Sequence, residues 1–277
     1  MQRTVKALLA AHGITLAAPI SLQYLNVTRP YLLARHGITA GTVFMLAVPY
    51  YTTHCDDPAR NISIYAVARD YHRFFEALFA DVLPRLQQAF PQNRFAGFAD
   101  HSPINEPEAA VKAGLGQFGC NHLFLTKEHS SFVFLGEIVT DALLEAPPHP
   151  VSVCSACGAC RRACPVQLEV GACLSALSQK KGTLTDSEQA ALLSGGLLWG
   201  CDTCQLACPV TQAAKKAGTL YSKIPFFHEQ AIPRLTYDRI AAMSEEDFAA
   251  RAYSWRGRAV ILRNLRLFED AEKGASQ

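Results

Sequence analysis

From Thr42 to Tyr50 the chain reads TVFMLAVPY, an unbroken apolar run rich in strand formers and stopped at Pro49, which predicts a buried strand. From Ser63 the period changes. Ile64, Val67, Tyr71, Phe74, Phe75, Leu78, Phe79, Val82 and Leu86 recur at helical spacing and predict a long amphipathic helix, kinked near Pro84, with a charged opposite face. RFAGFAD predicts a short strand that delivers Asp100 to a loop, and EPEAAVKAGLG a helix that begins near Pro107 and ends at Gly114 or Gly116. HLFLT and SFVFLGEIVTD read as two adjacent strands, and MQRTVKALLAAHG as an opening helix. These pieces make a mixed α/β domain over residues 1–148. EAPPHP (Glu145 to Pro150) interrupts both periods and is the expected linker. A cysteine-rich domain over 149–220 and a helical tail over 221–277 follow.

Composition narrows the reading. Of 277 residues, 49% are hydrophobic and 18% charged, ordinary for a globular chain with a sizeable core. The net charge of +2 supplies no overall basic field, so any nucleic-acid contact must be local. No apolar run approaches the ~20 residues that span a bilayer. The opening segment has two basic residues ahead of a short apolar run, but His12 and Gly13 end it too early for a secretory signal. Cytoplasmic residence is therefore expected, with no membrane contact and a monomeric state.

Ten cysteines in such a chain point to metal binding rather than disulfides. The first block, CSACGACRRACP, spaces Cys154, Cys157, Cys160 and Cys164 as C-x2-C-x2-C-x3-C-P, the bacterial ferredoxin ligand run. The second, CDTCQLACP, supplies Cys201, Cys204 and Cys208. Cys173 lies between them and completes two sets of four. In two-cluster ferredoxins the Cys-Pro ligand serves the other cluster. One [4Fe-4S] cluster is thus assigned to Cys154, Cys157, Cys160 and Cys208, and the second to Cys201, Cys204, Cys164 and Cys173. Zinc also takes paired C-x2-C motifs, but needs neither the third cysteine nor the Cys-Pro ending of each block. Cys55 and Cys120 are left over.

Two clusters form an electron wire, which does not account for the α/β domain attached to it. AVPYY, IYAVARDYHRFFEALF, ADHSPINEPEAAVKAGLGQFGCNHLFLT, SSFVFLGEIVTD, the first cysteine block, CLSALSQKKG and GCDTCQLACPV occur in the order seen in epoxyqueuosine reductases, a family the chain closely resembles from about residue 43 to 212. The resemblance implies a double-[4Fe-4S], cobalamin-dependent oxidoreductase related in fold to reductive dehalogenases. It implies that the α/β domain binds the corrinoid, that the ferredoxin-like domain feeds it, and that the reaction removes the epoxide oxygen of epoxyqueuosine in tRNA. A low-potential donor such as ferredoxin or flavodoxin is the implied electron source. By position Asp100, in DHSPINE, matches the family's general acid and also faces the corrinoid. Asn121, Ser131, Gly136 and Glu137 match residues that line the corrinoid.

This chain also departs from the family. Cys120 replaces a lysine, Ser130 a glycine, Phe132 a tryptophan and Pro107 an arginine, while Glu106 matches the family's glutamate. No D-x-H-x-x-G segment is present, so no protein imidazole is expected beneath cobalt. The chain resembles a short form that lacks the family's C-terminal helical-repeat extension. RGRAVILRNLRL resembles the segment ahead of that extension, and its Arg256, Arg258, Arg263 and Arg266 are candidate tRNA contacts. Two other readings stand beside the tRNA reductase: a corrinoid and iron–sulfur electron carrier, and a related reductase acting on a substrate other than tRNA. A placed acid at Asp100 separates an enzyme from a carrier.

Overall fold

The computed structural model describes residues 1–169 and 171–275; residues 276 and 277 of the expected tail and Val170 of the expected cysteine-rich domain lie outside the described residues. The chain divides into two compact units, each assembled from separate stretches: residues 1–50, 72–157 and 213–224 in the first, and 51–71, 158–212 and 225–277 in the second. The expected division was linear. In the structure, residues 51–71 leave the α/β unit to pack with the cysteine-rich segment, and 213–224 return to it.

The first unit holds α1 (Gln2–Ala11), β1 (Leu16–Ser21), α2 (Pro30–Ala34), β2 (Thr42–Pro49), α3 (Tyr71–Ala89), β3 (Phe95–Phe98), α4 (Glu106–Lys112), β4 (Gln117–Phe118), β5 (Phe124–Leu125) and β6 (Val133–Thr140). Its sheet runs β1-β2-β6-β3, antiparallel throughout. Every residue of β2 is buried, as its unbroken apolar sequence requires of a central strand. Pro19 is tolerated because β1 lies at the edge.

The two faces of the sheet are covered differently. Val43, Met45, Ala47 and Val139 join Ala109, Ala110 and Val111 of α4 in one core. On the opposite face a Cβ on Gly136 would come within 2.4 Å of Phe75, and one on Gly97 within 2.5 Å of Phe79, so both positions need glycine for α3 to approach. Phe74, Phe75, Leu78, Val82 and Leu86 of α3 are buried, each worth about 2 kcal/mol in area removed from water.

Two predicted elements differ from what formed. Helix α3 begins at Tyr71, not near Ser63. The intervening amides already have partners inside the second unit: Ser63 N donates to Trp199 O, Ile64 N to Asp202 Oδ2 and Asp70 N to Ala250 O. HLFLT and SFVFLGEIVTD do not pair with each other. β5 pairs with β4 in a separate two-stranded ribbon, while β6 pairs with β2 and β3.

The second unit carries α5 (Ala159–Ala163), α6 (Leu174–Ser178), α7 (Asp186–Gly195), α8 (Thr203–Leu206), the start of α9 (Pro209–Ala217), α10 (Tyr237–Ala242), α11 (Glu245–Ala249) and α12 (Arg258–Ala275). Its fixed point is Asp202. The carboxylate accepts from Arg60 Nη1 at 2.8 Å, Ser63 Oγ at 2.5 Å and Ile64 N at 3.0 Å. Asp202 is 1% exposed and the Arg60 side chain 12%. Burial pushes the Asp202 carboxyl above the ordinary range even against Arg60 and Ser63. Removing this carboxylate strands a guanidinium in the interior. Asp202→Ala is therefore expected to destabilise the chain by about 3 kcal/mol, the low end for breaking a buried pair. The measurement is the shift in urea midpoint against wild type. An unchanged midpoint would show that Arg60 is satisfied without it.

Candidate functional site

The segment from Asp100 to Asn105 forms a loop between β3 and α4, and short-range chemistry shapes both ends. Asp100 adopts a left-handed conformation with φ 62°, which aspartate tolerates better than most side chains. Asn105 caps α4 by accepting from Glu108 N at 3.1 Å. Residues 27–31 hold the middle. Thr28 N and Arg29 N donate to Pro103 O, Arg29 Nη1 to Ser102 O at 2.9 Å, and Val27 bridges Ile104. Tyr31 Oη lies 3.3 Å from His101 Nε2, which explains that histidine as a loop contact.

Asp100 presents its carboxylate outward, 68% exposed and 3.6 Å from His72 Nε2 at the start of α3. Behind it lie two more carboxyls. Glu106 Oε1 accepts from the Asp100 amide at 3.1 Å. Glu137 is fully buried; its Oε1 accepts from Ser102 Oγ at 2.5 Å and its Oε2 has no hydrogen-bond partner. Burial pushes Glu106 up to about 7, opposed by the Asp100 amide. Burial raises Glu137 well above the ordinary range, and the neighbouring Glu106 charge adds to it. His72, Glu106 and the burial of Glu137 were not singled out by spacing: each lies in a segment whose pattern reads as ordinary helix or strand.

The other residues matched to the corrinoid side have individual settings. Asn121 Oδ1 accepts from Leu123 N at 3.4 Å in the turn between β4 and β5. Ser131 is 8% exposed, and Gly136 gives the volume of its missing side chain to Phe75. Glu137 exposes no surface, so any influence on a bound group passes through Ser102 and Glu106. A cavity of about 830 Å³, lined by Leu22, Val27, Leu33, Ile38 and Leu144 among others, lies apart from all five positions.

None of the ten cysteines is in a disulfide. Cys154 and Cys157 fall in the first unit, and Cys160, Cys164, Cys173, Cys201, Cys204 and Cys208 in the second. Within the second unit α5 packs on α8, which places the Cys160 and Cys204 helices side by side. Cys173 occupies the N-cap of α6 and Cys164 the C-cap of α5. The Asp202 clamp fixes the residue next to Cys201, and Gly200, at φ 73°, admits no side chain because Ser63 Cβ would stand 2.3 Å from it.

Among the described residues no three His, Cys, Asp or Glu side chains converge as a group that could hold a metal ion. The donor chemistry nonetheless fits iron–sulfur ligation. The eight thiols are half-buried or exposed and none is locked in a disulfide. In the first unit the Ala156 amide, and then the Cys120 amide, hydrogen-bond to Cys154 and lower its thiol below the usual range, as a thiolate ligand needs. Cys120, left over from the two ligand sets, sits with its sulfur 3.5 Å from that of Cys154.

The basic tail is mostly committed to its own unit. Arg258 binds Ile240 O and Glu245, Arg263 donates to Lys180 O at 2.6 Å and Gly182 O at 2.5 Å, and Arg266 bonds Tyr237 Oη. Arg256 stacks over Trp255 at 3.8 Å, and Trp255 is 59% exposed. Three of the four arginines therefore hold the tail together. Among the described residues no helix is long and apolar enough to cross a membrane.

Residues 34–101 match the family model described as "Epoxyqueuosine reductase QueG, DUF1730". The chain is 30% identical over 246 residues to the epoxyqueuosine reductase of Gloeobacter violaceus, covering 85% of this chain and 76% of that one. It is 30% identical over 220 residues to the epoxyqueuosine reductase of Aliivibrio fischeri, where it spans only 56% of the relative. A crystal structure of an epoxyqueuosine reductase with an epoxyqueuosine-modified tRNA-Tyr stem loop shares the mixed α/β fold, with a TM-score of 0.78 and 24% identity over 99% of this chain and 82% of that one.

Proposed function

The chain belongs to the epoxyqueuosine reductase family of oxidoreductases, and from that premise we propose that it reduces the epoxide of epoxyqueuosine in tRNA to the alkene of queuosine. The reaction consumes two electrons and two protons: both C–O bonds of the epoxide break, a C=C bond forms, and the oxygen leaves as water. The observation that carries the reading is Asp100, an outward-facing carboxyl on a loop tied at several points, at the position matching the family's acid.

Two [4Fe-4S] clusters on the eight paired cysteines would store and pass the electrons. Cobalamin, when bound, supplies the strongly reducing centre that meets the epoxide. Asp100, Asn121 and Ser131 would line its site, with Gly136 and Glu137 supporting them from within the sheet. Asp100 donates the proton that keeps the opening epoxide oxygen from leaving as an anion. Its exposure lets solvent, or His72 beside it, return the proton for the second transfer. The residues of the loop hold that carboxyl in place, so the entropy of orienting the acid is settled before substrate arrives.

The relative solved with a tRNA stem loop supports tRNA as the carrier of the base. On this chain the exposed Trp255, with the half-buried Arg256 stacked on it, is the part of the tail that could meet RNA, by stacking and by cation. Turnover by the reconstituted protein should be compared on epoxyqueuosine-containing tRNA and on the free nucleoside. The expected result is a higher kcat/KM on tRNA that falls steeply as salt rises, with a salt-insensitive nucleoside reaction. Equal, salt-insensitive rates on both would remove tRNA from the recognition step.

A further inference from the structure

Two carboxyls lie behind Asp100, Glu106 half-buried and Glu137 fully buried, and the reaction as described gives Glu106 no task. Glu106 opens α4, and its Oε1 reaches back to accept the amide of Asp100 at 3.1 Å. Below it Glu137 projects from β6 into the core, held through Oε1 by Ser102, whose hydroxyl also accepts from Ile104 N at 3.1 Å. The Glu137 Oε2 is buried without a hydrogen-bond partner. Two carboxyls in one pocket will not readily ionise together, and only a carboxylate makes the stronger, charge-assisted bond to an amide. A residue at φ 62° also needs such a hold, because a left-handed turn at a non-glycine residue is strained.

We propose that Glu106 is a positioning residue for Asp100: as a carboxylate, with the buried Glu137–Ser102 pair behind it, it clamps the Asp100 amide and holds the acid in its left-handed turn. This rests on the assignment of Asp100 as the proton donor. Protonation of Glu106 weakens the clamp and lets the turn relax. The groups facing Glu106 are Asp100 on the loop, His72 from α3 and Glu137 from β6. The sign follows from its raised position near 7: the carboxylate and its grip prevail above that pH, and both are lost as pH falls through it.

Hydrogen exchange of the reconstituted protein tests this without reference to any substrate. After correction for intrinsic exchange, protection of the 98–103 segment should rise between pH 6 and pH 8 in wild type, while Glu106→Gln should show low protection at both. Turnover should follow. Wild type should lose activity on the acidic side with a midpoint near 7. Glu106→Gln should lose roughly ten- to a hundredfold in kcat and lack that limb. KM should hold. The wild-type pH series stands even if the variant fails to fold. Flat protection across that range, or unchanged protection in Glu106→Gln, would overturn the clamp. The expected protection pattern in a protein inactive on epoxyqueuosine would leave the clamp standing and move the fault to the substrate.

Discussion

Asp100→Asn is expected to keep its full complement of iron, sulfide and cobalamin yet lose roughly 100-fold or more in turnover, the usual contribution of a positioned acid. Asparagine preserves the size of the side chain and tolerates the left-handed turn, so the amide bond to Glu106 and the ties to residues 27–31 survive. What it lacks is the proton. The opened epoxide must then be protonated by water or by His72 alone, at 3.6 Å from the original carboxylate. The comparison needs matched metal content, because a loss of clusters would imitate a loss of chemistry. Full activity in the variant would take Asp100 out of the mechanism and return the site to an electron carrier.

The second large effect concerns the metal centres. Reconstituted protein should hold about eight iron and about eight acid-labile sulfide per chain, two complete sets of thiolate ligands. Cys173→Ala should lose about half of each and leave the remaining cluster visible by its spectrum. Cys173 caps the short helix α6, outside both compact cysteine blocks, so its removal deprives one cluster of a ligand while leaving the spacing of the blocks intact. Stoichiometric zinc without sulfide would refute both sets together. Loss of all iron in the variant would mean that the clusters do not form independently.

The parts of this molecule that were legible in its sequence are those written in short-range pattern. The β2 strand is buried on both faces and reads as unbroken apolar sequence, and α4 reads from its proline start and glycine stop. What was hidden depends on partners far apart in the chain. Arg60 and Asp202 are separated by 142 positions, and neither sits in a pattern that announces the other. Asp202 takes the Ile64 amide, while Trp199 O and Ala250 O take those of Ser63 and Asp70, so helical periodicity overran the helix. The strand reading of HLFLT was sound, but the pairing was not. A two-residue strand takes whichever neighbour the turn at Asn121 and His122 presents, and that is β4.

The candidate site shows the same division. Asp100 is proposed as the acid from a motif, whereas the Glu106 contact to its amide and the buried Glu137 behind it are visible only once β6 and α4 are packed together. Charge was a poorer guide. Arg258, Arg263 and Arg266 look like an RNA-facing row in sequence, yet their donors go to backbone carbonyls, an acid and a tyrosine within their own unit. Arg256 is itself half-buried and stacked on Trp255, whose ring is exposed.

The central claim, that this chain removes an epoxide oxygen, is tested most directly by weighing the product. The protein is reconstituted anaerobically with iron, sulfide and cobalamin, supplied with a low-potential reductant and epoxyqueuosine-containing tRNA, and the tRNA is digested to nucleosides for mass spectrometry. The expected product is a nucleoside lighter by one oxygen atom that co-elutes with queuosine, absent when Asp100→Asn replaces wild type. Unchanged epoxyqueuosine from a protein carrying its full clusters and cobalamin would contradict the assignment.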